Sequence, residues 1–154
     1  MIRIGVISDT HGLLRREAEA ALAGVDHILH AGDIGDPSIV YRLERLAPVT
    51  AIRGNVDRGA WARRFPETVE TVLGGRRLLM LHDVNMLGAG WPARELAAVI
   101  SGHSHKPGMT WREGVLFLNP GAAGPRRFRL PVTLALLRIG DGLGAEIVDL
   151  AAGR

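Results

Sequence analysis

The sequence predicts an α/β protein with two β-sheets packed together in one domain spanning residues 1–154. Three observations carry this. Strand and helix patterns alternate over the first 55 residues, which argues for a parallel sheet with right-handed crossovers. The second half is a run of strands and hairpin turns. No linker separates the halves, and 154 residues are enough to bury a substantial core.

The elements follow in order. Ile2 to Ser8 reads as a buried strand rich in β-branched residues. Leu14 to Gly24 is built of good helix formers and ends on a glycine, the usual residue at a helix C-terminus. Val25 to Asp33 reads as a second strand. Asp36 to Leu46 is a second helix, with Asp36 a natural N-cap and Pro37 suited to the first helical position. Pro48 to Asn55 is a third strand. Glu67 to Asp83 reads as two strands around the hairpin signal Gly74-Gly75. Pro92 to Ile100 is a short helix merging into a strand, and Gly108 to Gly121 is a hairpin turning near Glu113-Gly114. Pro131 to Ile139 and Gly144 to Leu150 form a final antiparallel pair that turns at Gly140 to Gly144.

Composition excludes several function classes. Hydrophobic residues make up 47% of the chain and charged residues 23%, as in an ordinary globular protein. No run approaches the roughly 18 apolar residues of a membrane helix, and Met1 leads into a strand pattern rather than a signal peptide. A cytoplasmic location with no membrane partner is expected. The chain has no cysteine, which excludes disulfides, thiolate catalysis and Cys-ligated zinc or iron–sulfur sites. The net charge is +3 and the arginine pairs at 15–16, 63–64, 76–77 and 126–127 are scattered, so nucleic-acid binding is not strongly indicated.

The chemistry lies at the strand ends. The first strand delivers Asp9 and His11, the second Asp33, the third Asn55, and the later strands His82, then His103 and His105. In an open α/β sheet, ligands bind beyond the carboxyl ends of the strands. Singly, these residues have plain structural explanations: Asp9 as a helix cap, Asp33 and Asn55 as turn residues after glycines. Two imidazoles on one tight loop are harder to explain that way, because they repel when protonated but both coordinate a metal when neutral. Seven oxygen and nitrogen groups exceed the three protein ligands of a catalytic zinc. They suit two divalent ions sharing a carboxylate, about 3.5–4 Å apart.

In order, the motifs are DTHG (Asp9 to Gly12), GD (Gly32-Asp33), GNVD (Gly54 to Asp57), the histidine of LHD (His82) and GHSH (Gly102 to His105), followed by NPGA (Asn119 to Ala122). Together they resemble the calcineurin-like metallophosphoesterase superfamily, and within it the small bacterial and archaeal phosphodiesterase group. The resemblance runs from Asp9 to Gly121. It implies a four-layer α/β/β/α fold, two mixed β-sheets packed as a sandwich flanked by helices. It implies one metal held by Asp9, His11, Asp33 and His105 and another by Asp33, Asn55, His82 and His103, with Asp33 bridging. It further implies hydrolysis of phosphodiester bonds by a metal-bridging hydroxide, with Asn55, His11 and Asp33 as catalytic residues. The substrate implied is a small phosphodiester or a nucleotide-like one. The expected cofactors are two divalent ions, manganese first, with nickel, iron, cobalt and zinc also compatible with mixed nitrogen and oxygen ligands. Small members of the group often form dimers or tetramers, so a homodimer or homotetramer is compatible with the resemblance. Two alternatives stand beside it: a phosphomonoesterase or nucleotide pyrophosphatase on the same site, and a non-enzymatic scaffold like the related retromer subunit, whose ligands are partly replaced. All seven ligand positions here carry the expected residue types, which favours an enzyme.

The sequence departs from the family pattern at Val56 (often Cys or His), Asp83 (often Gly), Ser104 (usually Thr) and Ala122 (usually Ser). Without a histidine at position 56 the leaving group is protonated by water, by His11, or not at all, which predicts a preference for activated leaving groups. Asp83 is read as an outer-sphere carboxylate or as a turn residue at positive φ. His30 is placed to orient a ligand, His27 is read as a surface residue, and Asp57 as an anchor for the loop presenting Asn55. Arg126, Arg127 and Arg129 are suited to contacting phosphate. Trp61, Trp91 and Trp111 are read as packing or subunit-contact residues rather than stacking platforms.

Overall fold

In the computed structural model, which describes residues 1–151, the elements are β1 (Ile2–Ile7), α1 (Arg16–Ala21), β2 (His27–His30), α2 (Pro37–Glu44), β3 (Val49–Ala51), β4 (Thr68–Leu73), β5 (Arg76–Leu81), β6 (Ala98–Ile100), β7 (Gly108–Arg112), β8 (Val115–Asn119), β9 (Thr133–Ile139) and β10 (Leu143–Asp149). Short 3-10 turns lie at Ala60–Arg64, Val84–Met86 and Trp91–Arg94. One five-stranded sheet has the order β10-β9-β1-β2-β3, the other β4-β5-β6-β8-β7. Both are mixed. In the first, β1, β2 and β3 run parallel and β9 pairs antiparallel with β1 and β10. In the second, β5, β6 and β8 run parallel, with β4 and β7 antiparallel at the edges.

The main core lies between the sheets. Ile4, Val6 and Leu29 of the first meet Leu78, Met80, Ile100, Leu116 and Leu118 of the second. The other face of the first sheet carries Ile7, Ile28 and Leu134, covered by Leu22, Ile39 and Leu43 at the two helices. Burial on both faces explains why β1 and β5 read as continuous apolar runs rather than alternating ones. The outer face of the second sheet is covered differently from the sequence expectation. Among the described residues no α-helix forms there, and Leu79, Val99 and Val115 pack under Trp91 and Leu96 instead. The helix expected from Pro92 is a 3-10 turn that ends at Glu95 in a left-handed conformation, φ 55°.

The strands and helices are also shorter than the sequence reading, and the shortening makes the site. β2 stops at His30 and β3 at Ala51 rather than running to Asp33 and Asn55. Beyond β2 the chain turns out of the sheet, with Gly32 at φ 100° and Asp33 at φ 55°. The helix expected over Leu14 to Gly24 is regular only over Arg16–Ala21. The cap on α2 is as read: Asp36 accepts a 2.8 Å hydrogen bond from the Ser38 amide, and Pro37 is the first helical residue. The β4–β5 hairpin turns on Gly74 and Gly75, both at positive φ, as a two-residue hairpin turn demands. No helix of the described residues is long and apolar enough to cross a membrane.

Candidate metal centre

Five of the seven expected ligands sit in the left-handed backbone region: Asp9 (φ 55°), His11 (44°), Asp33 (55°), His103 (71°) and His105 (63°). Each such placement of a non-glycine residue costs about 1–2 kcal/mol, least for Asp, Asn and His. It persists only where the surroundings enforce it. Here the loop after β1 is fastened to the loop after β2. Asp9 donates its amide to Gly32 O (3.0 Å), His11 to Asp33 O (2.9 Å) and Gly12 to Ile34 O (2.8 Å). The amide of Gly102 donates to His82 O at 2.9 Å, tying the GHSH loop to the end of β5. These turns swing the side chains inward. Ligand atoms of Asp9, His11 and His105 lie within 4.8 Å of one another, and those of Asp33, His82 and His103 do likewise.

The two groups meet at the carboxylates. Asp9 Oδ1 faces three imidazoles, 3.4 Å from His105 Nε2, 3.7 Å from His11 Nε2 and 3.8 Å from His82 Nε2. Asp33 Oδ2 lies 3.2 Å from His82 Nε2 and 3.7 Å from His11 Nε2, and so touches both groups. The second oxygen of each carboxylate is already committed. Asp9 Oδ2 accepts from Ser8 Oγ (2.8 Å) and the His103 amide (3.1 Å), and Asp33 Oδ1 from the Val56 amide (3.1 Å). His82 Nδ1 lies 2.7 Å from Ala31 O; as a donor there it leaves Nε2 with its lone pair facing the cluster. Asp9 is therefore no helix cap; the residue at the α1 cap position is Arg15.

Among the described residues, four buried polar atoms are left without a hydrogen-bond partner: Asp9 Oδ1, His11 Nε2, His82 Nε2 and His105 Nδ1. Each belongs to the cluster. Leaving a buried acceptor unpaired costs about 1–3 kcal/mol, and a concentration of such atoms calls for a partner that several can share. A divalent cation fits these donors. The electrostatics agree. Burial pushes Asp9 up, but His105, His11, His82 and Ser8 outweigh it and hold its carboxyl below the usual carboxylate range. Burial also pushes Asp33 up, and the His82 ring and the Val56 amide bring it down. Burial pushes His82 down, and Asp33 with the Ala31 carbonyl reverses the shift upward.

The supporting residues sit behind the ligands. His30 is fully buried, 3.0 Å from Thr10 Oγ1 through Nε2, and its Nδ1 accepts from the Gly32 amide at 3.2 Å. It thus ties the Asp9–His11 loop to the Gly32-Asp33 turn. Asp57 is buried and accepts from the amides of Ile34 (3.0 Å), Gly35 (3.0 Å) and Gly54 (2.9 Å), joining the loops that carry Asp33 and Asn55. Asn119 donates to Gly102 O (3.0 Å) and Ser104 Oγ (3.1 Å), shaping the GHSH loop. Two glycines admit the close approach. A Cβ at Gly54 would land on Asp33, and one at Gly102 on Ser8 Oγ and Asp9 Oδ2.

Asn55 is exposed and lines a cavity of about 340 Å³ together with His82, His103, Asp83, Leu81 and Met86. Asp83 does not occupy a positive-φ turn. Its φ is −115°, its Oδ1 accepts from the Asn85 amide (3.0 Å), and its Oδ2 lies 3.9 Å from His103 Nε2. The carboxylate thus stands beside a candidate ligand, outside the two ligand groups. His27 is half-buried and bonded to Thr50 Oγ1 at 2.8 Å rather than free on the surface. Trp91 packs edge-on against Phe117 and Trp61 against Phe65, while Trp111 is exposed on the edge strand β7. None of the three lines the cavity. The roles of Ser8, Thr10 and Asn119 escaped the sequence reading because each is a hydrogen bond made only after folding. A hydroxyl on either side of Asp9 was the available signal for the first two.

Residues 2–142 match the model of the calcineurin-like phosphoesterase superfamily domain. A probable metallophosphoesterase of Methanothermobacter thermautotrophicus is 36% identical, over 97% of this chain and 93% of its own. Among solved structures, an archaeal phosphodiesterase is similar with a TM-score of 0.83 and 21% identity, over 96% of this chain and 99% of that one. Vacuolar protein sorting 29 from Cryptosporidium parvum has the same TM-score, 0.83, at 22% identity, over 99% of this chain and 93% of that one. The two structures share the fold of stacked mixed sheets. The family match and the identity to the archaeal relative go further: this chain belongs to the calcineurin-like phosphoesterase superfamily.

Proposed function

We propose that the protein is a metal-dependent phosphodiesterase built around two divalent ions, with manganese the first candidate. The observation that carries this is the convergence of three unpartnered, buried atoms, Asp9 Oδ1, His11 Nε2 and His82 Nε2, beside Asp33 Oδ2. Two bound ions would supply Lewis acidity and a nucleophile generated from water at neutral pH. Asp33 would be the shared ligand, as the family resemblance implies; its Oδ2 faces His11 of one group and His82 of the other, and Asp9 Oδ1 likewise faces both. Asp9, His11 and His105 complete one set, and His82, His103 and Asn55 the other. The exposed Asn55 amide, on the cavity wall beside His82 and His103, is also placed to hold a phosphoryl oxygen. His11 Nε2 faces both carboxylates at 3.7 Å, a ligand's position rather than a proton donor's. Protonation of the leaving oxygen therefore falls to water. Diesters are favoured over monoesters because a cavity walled by Asn55, His82 and His103 adjoins the cluster, leaving room for a second organic arm. A scaffold role is disfavoured by the intact ligand set.

The test is hydrolysis of bis-p-nitrophenyl phosphate against p-nitrophenyl phosphate by metal-stripped protein titrated with Mn²⁺. Activity restored by the ion, higher on the diester, and lost in Asp33→Ala and Asn55→Ala supports the proposal. Folded, metal-loaded protein that cleaves neither ester, or prefers the monoester, refutes it.

A further inference from the structure

A phosphodiester has two arms, and two spaces of different chemistry border the loops that carry the ligands. The cavity beside Asn55 is narrow and partly apolar. The other space is a wider groove of about 910 Å³ lined by Ser104, Lys106, Phe128, Arg129 and Leu130. Ser104 stands between the ligands His103 and His105, so this groove opens from the ligand loop itself. We propose that the groove is a nucleotide subsite, in which Phe128 stacks on a base while Lys106 and Arg129 meet phosphate oxygens. The inference rests on the phosphodiesterase reading and names its substrate class: a nucleotide-containing phosphodiester.

Phe128 is 93% exposed and held at φ 53°. A bulky residue in that backbone region is an outlier, and strain of this kind concentrates at ligand-binding positions. The loop that displays it is ordered by its own bonds. Arg126 Nε donates to Leu130 O at 3.1 Å, and the Leu130 amide to Arg127 O at 3.1 Å. Its base is fastened to the loop that carries Asp9 and His11. The Ala123 amide donates to Ser8 O (3.0 Å), Arg15 Nε to Gly124 O (3.1 Å), and Gly124 lies so close to Thr10 that a Cβ there would collide with its carbonyl. One side of the Phe128 loop thus rests on the first ligand loop, and the other faces the GHSH loop across the groove.

The charged residues that line the groove, Lys106 and Arg129, have one sign. Arg127, Arg129 and Lys106 make no ion pair among the described residues. Between His105 and Leu130 the sequence holds a single acid, Glu113, in the turn between β7 and β8. A basic rim selects an anionic ligand. An exposed ring adds nothing for a purely aliphatic phosphate, but every nucleobase presents a π-face to it. Ring and rim together describe a nucleotide arm. An anionic lipid surface is the other partner that an arginine-flanked phenylalanine attracts, and the experiment separates the two.

Two assays on the full chain decide the matter. The first is fluorescence anisotropy of fluorescein-labelled trithymidylate in EDTA, which prevents hydrolysis. The second is Mn²⁺-supported cleavage of thymidine 5′-p-nitrophenyl phosphate, read against bis-p-nitrophenyl phosphate, which has the same leaving group. The variants are Phe128→Asn, which keeps a residue tolerant of positive φ, Phe128→Tyr, which keeps a ring, and Arg129→Gln. Phe128→Asn is expected to weaken trithymidylate binding and raise KM for the thymidine ester by roughly 5- to 100-fold. Its kcat holds, and Phe128→Tyr recovers both losses. Arg129→Gln is expected to weaken binding and flatten its salt dependence. The proposal is overturned if Phe128→Asn binds trithymidylate as the wild type does. It is equally overturned if the wild type ignores trithymidylate and binds phosphatidylserine vesicles through Phe128 instead. Failure to cleave either ester would sink the phosphodiesterase reading, while the anisotropy would still decide whether the groove takes a nucleotide.

Discussion

Asp57 touches no ligand atom, yet it fastens together the two loops that deliver Asp33 and Asn55. Its Oδ2 accepts from the amides of Ile34 and Gly54, and its Oδ1 from Gly35, at 2.9–3.0 Å. The side chain is buried, so water cannot replace it freely. Asp57→Ala strands three backbone donors at once. At about 1–3 kcal/mol for each unsatisfied group, tempered by local relaxation, the loss comes to about 3–5 kcal/mol. In a domain of this size each kcal/mol shifts Tm by about 2–4 °C, so the expected drop is roughly 6–20 °C. Asp57→Asn is graded: its carbonyl oxygen still serves the Ile34 and Gly54 amides, while its NH₂ opposes the Gly35 amide, at about 1–2 kcal/mol. Thermal unfolding of both variants gives the order wild type, Asn, Ala. Divalent-ion affinity, measured by calorimetry below each Tm, is expected to fall in the same order because both loops carry ligands. An Asp57→Ala protein that melts within 2 °C of the wild type, with unchanged ion affinity, would refute the reasoning.

Further predictions concern close packing, chemistry and pH. Gly102→Ala drives a methyl group into Ser8 Oγ and Asp9 Oδ2; divalent-ion binding by calorimetry is expected to weaken by an order of magnitude or more, and unchanged affinity counts against the described geometry. Val56 supplies no proton donor, so with a series of aryl diesters the rate is expected to fall steadily as the leaving phenol becomes less acidic; a flat series contradicts this. Burial pushes His30 down to about 4 from 6.5, and its Nδ1 must stay unprotonated to accept from Gly32. Its contribution is therefore present above the unfolded value and lost as pH falls toward the folded one. Between pH 7 and pH 5 that amounts to about 2 kcal/mol of stability. Urea unfolding of metal-free wild type against His30→Gln is expected to show this pH-dependent difference, and parallel pH profiles would exclude it.

The site was more legible in the sequence than its framework. Asp9, His11, Asp33, His82, His103 and His105 each follow an apolar run, and parallel strands must release their polar ends at one edge, so convergence follows from the pattern. The outline of the fold was legible for the same reason: alternation in the first half and glycine hairpins at Gly74-Gly75 and Glu113-Gly114 in the second. What the pattern hid was the price in regular structure. The ligand loops begin earlier than hydropathy implies, because turning Asp33 inward takes the chain out of the sheet directly after His30. Burial was hidden wherever both faces of a strand are covered; His27 and His30 then cannot be sorted by alternation, and they proved half-buried and fully buried. Phe128 was masked by its neighbours, since the arginines around it read as solvated charge. Its exposure and backbone strain exist only in the folded loop.

The central claim is that this cluster holds two ions sharing Asp33. Electron paramagnetic resonance of the protein titrated with Mn²⁺ tests it most directly. At about 3.5–4 Å two ions are spin-coupled, so the account predicts two Mn²⁺ per chain at saturation with a coupled spectrum that Asp33→Ala abolishes. Saturation at one ion per chain, or two ions with independent single-ion spectra, would contradict it.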